Sequence, residues 1–435
     1  MNSVPKVLII SPHFPPVNAP DMHRVRMLLP FLRENGWQAQ ILAVSPDQVA
    51  APVDPWLAAG LPADVPVHWV NALGLGWSRI PGLGTLGLRA LPALAIAGDR
   101  LLAPGGFDLV YFSTTVFEVH ILGPRWKRKF GVPFVMDYQD PWINDYYSEH
   151  PDIAPPGGRL KYALASALHR WMEPRVLRQC AGITSVSPEY PKQLARHYPW
   201  FEGVGYLVQA FPGAKRDFDR LHDANTNSSK ARNDFGDGFL HWVYVGRGGA
   251  DMAKAMRAIF MSLRDHAPEK LKQRLKLHLI GTSYAPAGKG TKSLAPLATE
   301  FGLGHLVEED PSRIPYSETL AILRQADALI VPGSDDPAYT ASKIYPYLLA
   351  GRPLLAVFHE NSTVVELIRK VRGAVCVAFT DDDAEAAVAA RIADQWLRQE
   401  RYREVLPLDE MAFQPYTDRG CAAELTSFLR SCVVP

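Results

Sequence analysis

Short, uninterrupted apolar runs recur along the chain, and the stretches between them carry apolar residues at helical spacing. Residues 7–10 (VLII) form the first run, which stops in a proline-rich loop, Ser11-Pro12-His13-Phe14-Pro15-Pro16. A run without polar alternation suits a strand buried on both faces. From Met22 onward, Met22, Val25, Leu28, Leu29 and Leu32 recur every three or four positions and predict a helix, with a kink or break at Pro30. Gly36 closes that segment and residues 38–44 give the next strand. The order strand, helix, strand predicts a parallel sheet with right-handed crossovers.

The alternation continues with strands at 66–70, 108–113, 133–137 and 182–186, and with a long helix over 159–180. Residues 211–238 break the pattern. They are polar and rich in Gly, Asn and Ser, and read as a linker or mobile loop. A second alternating series follows at 239–245, 275–280, 327–331, 353–357 and 374–378. The expected architecture is α/β, with two Rossmann-like doubly wound parallel-sheet domains facing across a cleft. The first spans 1–210 and the second 239–410; a helical stretch, 411–435, crosses back to the first. Open parallel sheets bind ligands at the carboxyl ends of their strands, which places a ligand in that cleft.

Composition narrows the function classes. The 435 residues are 47% hydrophobic and 21% charged, with net charge +1, so nothing demands nucleic acid or an acidic partner. Cys180, Cys376, Cys421 and Cys432 are scattered without CxxC spacing, which argues against a zinc site or disulfide framework and fits a reducing cytosol. The N-terminal run reads as a strand rather than a signal peptide, and no apolar stretch reaches the roughly 18 residues of a membrane span. Residues 73–102, apolar with sparse Arg, have two readings: a loop and helix packed on the first domain, or a surface for peripheral contact with the inner membrane.

Four stretches carry candidate chemistry. Gly246-Arg247-Gly248-Gly249-Ala250-Asp251 follows a strand and precedes a helix. Its glycines offer free N–H groups to a phosphate, Arg247 adds a fork-shaped cation, and Lys254 in the next helix reaches toward the same ion. In TASKIYPYLLAG, Ser342 is the expected N-cap and Lys343 lies in the first turn, a second anion site at which Pro346 is tolerable. Asp140, in the loop after the strand at 133–137, is placed to accept a hydrogen bond from a hydroxyl or to act as a base. His13, Arg24 and Arg26 follow the first strand and face the same cleft. Asp336 borders the second anion site. Asp381-Asp382-Asp383 spells a metal-binding DxD but precedes an obvious helix, which N-capping explains.

Taken together and in order, PHFPP, Arg26, MDYQDPW, ITSVSPEYPKQL, YVGRGGADMAKA, RIPYSETLAILRQADALIVPG and SKIYPYLLAGRPLLAV resemble the retaining glycosyltransferases of GT-B fold, family 4-like, with a glycogen-synthase-like C-terminal domain. The resemblance implies a metal-independent transfer of sugar from a nucleotide-diphosphate donor to a glycan, lipid-linked or small-molecule hydroxyl, with retention and no cofactor. It assigns Arg247 and Lys254 to the donor diphosphate, with Gly246, Gly248, Ser342 and Lys343 beside them. Asp140 falls at the acceptor side, and His13, Arg26 and Asp336 at donor or acceptor contacts. The sequence departs from the family where Val17-Asn18-Ala19-Pro20 replaces a Gly-Gly pair, and where Ala338 and Pro346 replace two glutamates. Those losses keep open an alternative, a non-catalytic protein that binds a nucleotide, a sugar or a partner.

Overall fold

Among the described residues, every ladder between strands is parallel. The computed structural model describes residues 4–74, 76–77, 84–143, 159–225, 235–283, 289–336 and 342–433, which fall into two units. Residues 1–212 with 418–435 make the first unit, and residues 213–417 the second.

The first unit holds β1 (Lys6–Ile10), β2 (Gln38–Val44), β3 (Val67–Val70), β4 (Leu109–Ser113), β5 (Phe134–Tyr138), β6 (Gly182–Ser185) and β7 (Tyr206–Val208). Their order in the sheet is β3-β2-β1-β4-β5-β6-β7. The run VLII is central, with Ile9 opposite Ile41 on one side and Tyr111 on the other. Its side chains alternate between two cores. Leu8 and Ile10 face the one containing Ala90, Leu94 and Trp126, while Val7 and Ile9 face the one containing Val25, Leu28, Cys421 and Leu425. This two-sided burial is why the strand shows no polar alternation. The C-terminal helix, Asp418–Ser431, lies against the His23–Leu32 helix and so belongs to this unit.

The second unit repeats the plan with β8 (Leu240–Val245), β9 (Leu275–Ile280), β10 (Val307–Asp310), β11 (Ala328–Pro332), β12 (Leu354–His359) and β13 (Val375–Phe379), ordered β10-β9-β8-β11-β12-β13. In each sheet the chain winds outward one way from its first strand, then returns and winds the other way. The reversal lies between β1 and β4 in one unit and between β8 and β11 in the other.

Several expectations are corrected. The expected break at Pro30 is absent: the His23–Leu32 helix passes through it, because Pro30 sits in the last turn and only a terminal bond is lost. The expected linker is partly a helix, Lys215–Asn225, whose Phe218 and Leu221 are buried against the rest of the second unit. An apolar pair three residues apart gave that charged segment one side to bury. Residues 226–234 of the expected linker lie outside the described residues, as do 75 and 78–83 of the ambiguous apolar stretch.

The rest of that stretch includes a helix, Leu86–Leu102, capped by Thr85 and packed through Gly87, Ala90, Leu94 and Gly98. A Cβ at Gly98 would come within 2.1 Å of the Trp126 ring, so the glycine is there for close approach. Among the described residues no helix is long and apolar enough to cross a membrane.

Candidate functional site

Ligands of open parallel sheets bind where the strand order reverses. In the second unit that point is framed by the loops leaving β8 and β11. The two loops are joined there, since the Asp335 N–H donates to the Asp251 carbonyl at 2.8 Å. The glycine loop does not form the expected nest of free amides: Gly246 N–H donates to the Ile280 carbonyl (2.9 Å) and Gly248 N–H to that of Thr282 (2.8 Å). The glycines serve close approach instead. A Cβ on Gly246 would lie 2.8 Å from both Lys343 Nζ and the Tyr244 hydroxyl, and one on Gly248 would lie 2.5 Å from Ser293 Oγ.

The space that Gly246 leaves is filled by the Lys343 ammonium, which donates to the Tyr244 hydroxyl. That hydroxyl in turn donates to the Arg247 carbonyl at 2.7 Å. Tyr347, three residues before Ala350, exchanges two bonds with the end of β8, accepting from Val245 N–H (2.6 Å) and donating to its carbonyl (2.9 Å). This clamp fixes the segment carrying Lys343 to the end of β8 before the glycine loop, 102 residues away in sequence. Burial strips water from the ammonium, and the neighbouring Arg247 charge adds to the effect; together they push Lys343 down to about 7 despite the opposing Asp251 charge.

Arg247 itself folds onto Asp251 as a bidentate pair, at 2.8 and 2.5 Å. The Arg247 hydrogen bonds hold Asp251 below the usual carboxylate range against the cost of burial. The result is a half-buried group with two cations and one carboxylate, suited to an anion.

Other expected members lie elsewhere or differ in role. Lys254 donates to the Thr380 and Asp381 carbonyls (2.7 and 2.8 Å), so its ammonium tethers the end of β13 rather than joining Lys343. Ser342 is not a cap. The helix is Ile344–Leu349, its N-cap position is Lys343 with no side-chain capping bond, and six residues give little dipole. Pro346 is its third residue, where the missing N–H had no helical partner to lose. Asp336 is exposed beside Ser334, and Ala338 lies outside the described residues. Asp383 accepts from Thr380 N–H and pairs with Arg391 (2.7 Å), closing a turn; contrary to the capping expectation, the N-cap of the next helix is Ala384, not one of the three aspartates.

In the first unit, His13 leaves β1 and Thr114 leaves β4, so the two flank the reversal point. Between them lies Asp21, only 2% exposed. It accepts from His13 Nδ1 (2.8 Å), Thr114 Oγ1 (2.8 Å) and Thr115 N–H (3.1 Å). Burial alone would raise Asp21; the His13 bond and charge outweigh it and hold the carboxyl low. Because Asp21 only accepts, Nδ1 of His13 carries the proton, and Nε2 makes no hydrogen bond among the described residues. Asp140 is exposed at this edge, yet crowding by protein atoms and the Asp21 charge push it up to about 6.

Arg26 is packed inside, 4% exposed, beside a half-buried His23 that desolvation and the Arg26 charge lower to about 3. Arg24 is structural rather than ligand-facing. Fully buried, it ion-pairs with Asp137 (2.9 Å) and donates to the Gln209 carbonyl (2.6 Å). Sequence reading missed Asp21, Asp137, Tyr244 and Tyr347. The pairing of a loop His with an Asp eight residues on was the one signal available for Asp21.

Residues 23–204 match the family model described as a glycosyl transferase 4-like domain. No curated protein matches the chain in sequence. Among solved structures, the chain is similar to HepE of Anabaena in complex with UDP and glucose (14% identity, TM-score 0.57, covering 98% of this chain and 99% of that one). It is similar to the sucrose-phosphate synthase of Thermosynechococcus elongatus (15%, 0.57, 98% of each chain) and to a glycosyltransferase of Rickettsia africae (13%, 0.57, 98% of each). With both sheets and their order on view, the chain has the GT-B fold, and its residues 23–204 match the model of a glycosyl transferase 4-like domain.

Proposed function

We propose that the chain transfers a glycosyl group from a nucleoside-diphosphate sugar to an acceptor hydroxyl on a glycan, a lipid-linked sugar or a small molecule, with retention and without a metal ion. The observation that carries this reading is the Lys343 ammonium seated against Gly246 and beside Arg247, at the reversal point of the second sheet. A doubly charged leaving group is what such a pair of cations neutralises. As the glycosidic bond breaks, charge grows on the phosphate oxygen, and Lys343 and Arg247 stabilise it more than they stabilise the bound donor. With retention, the leaving phosphate takes the acceptor proton, so no protein nucleophile is required. HepE, crystallised with UDP and with UDP-glucose, supports a uridine nucleotide as first probe. The His13–Asp21 pair and Asp140 are assigned to the acceptor. Cys180, Cys376, Cys421 and Cys432 form no disulfide among the described residues, which fits a reducing compartment.

Calorimetric titration of UDP-glucose tests the reading. Arg247→Ala is expected to weaken binding by about 1.5 kcal/mol, the bottom of the range for a charged contact, because Asp251 already offsets part of its charge. Gly246→Ala is expected to displace the Lys343 ammonium and crowd the buried Tyr244 ring, weakening binding and lowering the thermal midpoint; unchanged affinity in both variants would refute the site. Pro346, standing where the family bonds ribose through a glutamate, favours a second reading of binding without turnover. Tight binding with no transfer or hydrolysis of the donor would decide for it.

A further inference from the structure

In the first unit, the helices Leu86–Leu102, Leu122–Phe130 and Arg159–Leu177 enclose a groove of about 510 Å3. Its floor is apolar, formed by Leu91, Ala95, Ile121, Met172 and Val176, and its rim is basic, formed by Arg125, Arg128 and Arg175. Single exposed apolar side chains are ordinary on a protein surface. Here one of them, Trp171, 49% exposed, lines the apolar groove, and Ile96 (55%) and Leu164 (59%) are exposed on two of the helices that enclose it. Leu164, Leu168, Trp171 and Arg175 recur at helical spacing along one stripe. The Arg175 guanidinium lies 4.4 Å from the Trp171 ring centre, so an apolar body and a cation leave the surface together.

The charge is one-sided. The Leu122–Phe130 helix reads LGPRWKRKF, and the chain as a whole has a net charge of only +1, so this excess is local. The acidic groups nearby offset little of it. Asp99 takes Arg125 and Lys129, both at 2.7 Å, and Glu173 is turned inward onto Tyr138 and Tyr198. Arg128, Arg175 and Arg178 have no carboxylate partner among the described residues. Interfaces between proteins are depleted in lysine, whereas Lys127 and Lys129 flank this groove. Apolar depth, an exposed Trp and a basic rim are the features of a surface that lies on anionic lipid.

We propose that this face docks on an anionic phospholipid bilayer, with lipid chains entering the groove and headgroup phosphates meeting Arg125, Arg128 and Arg175. The inference is independent of the transferase reading and holds or fails without it.

The test is co-sedimentation of the full chain with phosphatidylcholine vesicles, with or without about 30% phosphatidylglycerol. Binding is expected only with the anionic lipid, and is expected to weaken as salt is raised. The double variant Arg128→Glu/Arg175→Glu is expected to lose at least tenfold in partitioning with its circular dichroism unchanged. Trp171→Ala, at an exposed position, is expected to lose affinity without any loss of fold. No binding to anionic vesicles, equal binding to neutral ones, or wild-type binding by the double variant would overturn the proposal. So would self-association in solution that Trp171→Ala abolishes, which would give the face to a second copy of the chain.

Discussion

Lys343→Met is expected to lower the affinity for UDP-glucose by about 2–3 kcal/mol, the upper range for a charged hydrogen bond, because this ammonium is already stripped of water. Its pKa makes a second, sharper expectation. In the free protein Lys343 titrates at about 7, and an arriving diphosphate raises that value. Binding must therefore take up protons where free Lys343 is neutral. Uptake is expected to be small near pH ~6 and to approach one proton near pH ~8.5, with affinity falling as pH rises through that range. The diphosphate of a nucleotide sugar has no ionisation near neutrality, so calorimetry in buffers of different ionisation enthalpy reads Lys343 alone. Proton uptake that persists in Lys343→Met would exclude this lysine as its source.

Stability follows the same linkage with its own sign. Folding lowers the Lys343 pKa, so the unfolded chain binds more protons between about pH 7 and 10.5. Stability from this group rises with pH across that window and is flat below it. The contribution of this group to the slope is expected to vanish in Lys343→Met, and the variant is expected to be more stable at neutral pH while it binds its ligand less tightly. Opposite changes in binding and stability mark a residue kept for a site rather than for the fold.

The largest structural effect is expected from Asp137→Ala, about 3–5 kcal/mol, because it leaves the guanidinium of Arg24 buried without its counter-charge. Asp137 also accepts from Ser113 (2.8 Å), Gln139 (2.7 Å) and Thr184 (2.7 Å), so three further donors lose their acceptor. The expected readout is a large drop in the thermal midpoint of the first unit, or insoluble protein. Arg24→Leu/Asp137→Leu, which removes both charges, should recover much of that loss. If the single variant keeps its midpoint, the pair is not what ties the His23–Leu32 helix to β4, β5 and β6.

The local pattern carried the central strands well. VLII, LVYF and LLAV are apolar without alternation because both faces of their sheets are covered, and this shows in any window of five residues. Two of the four edge strands, β7 and β10, were not legible for the converse reason, whereas β3 and β13 were read from their apolar runs. β10 reads VEED and β7 is three residues long, and an edge with solvent on one side tolerates charge and brevity. Lys215–Asn225 escaped because its apolar pair is outnumbered by charged neighbours.

The site divides in the same way. The glycine loop, Arg247 and Lys343 were legible as groups able to hold an anion, since residue type and position after a strand or before a helix suffice for that. Their actual bonds were not. Whether Gly246 N–H is free depends on β9 beside it, where Lys254 points depends on the end of β13, and the fall of Lys343 to about 7 depends on burial by residues nearly a hundred positions away.

The sequence by itself determined two parallel α/β sheets, the strands at their centres and which side chains have the chemistry for phosphate. These follow from short-range periodicity and from what each side chain is. Only the tertiary structure decided which of them meet, which are spent on carbonyls and carboxylates, and which are driven from their ordinary pKa. Hydrogen-bond partners and desolvation are set by atoms brought together across the chain, and no local window contains them.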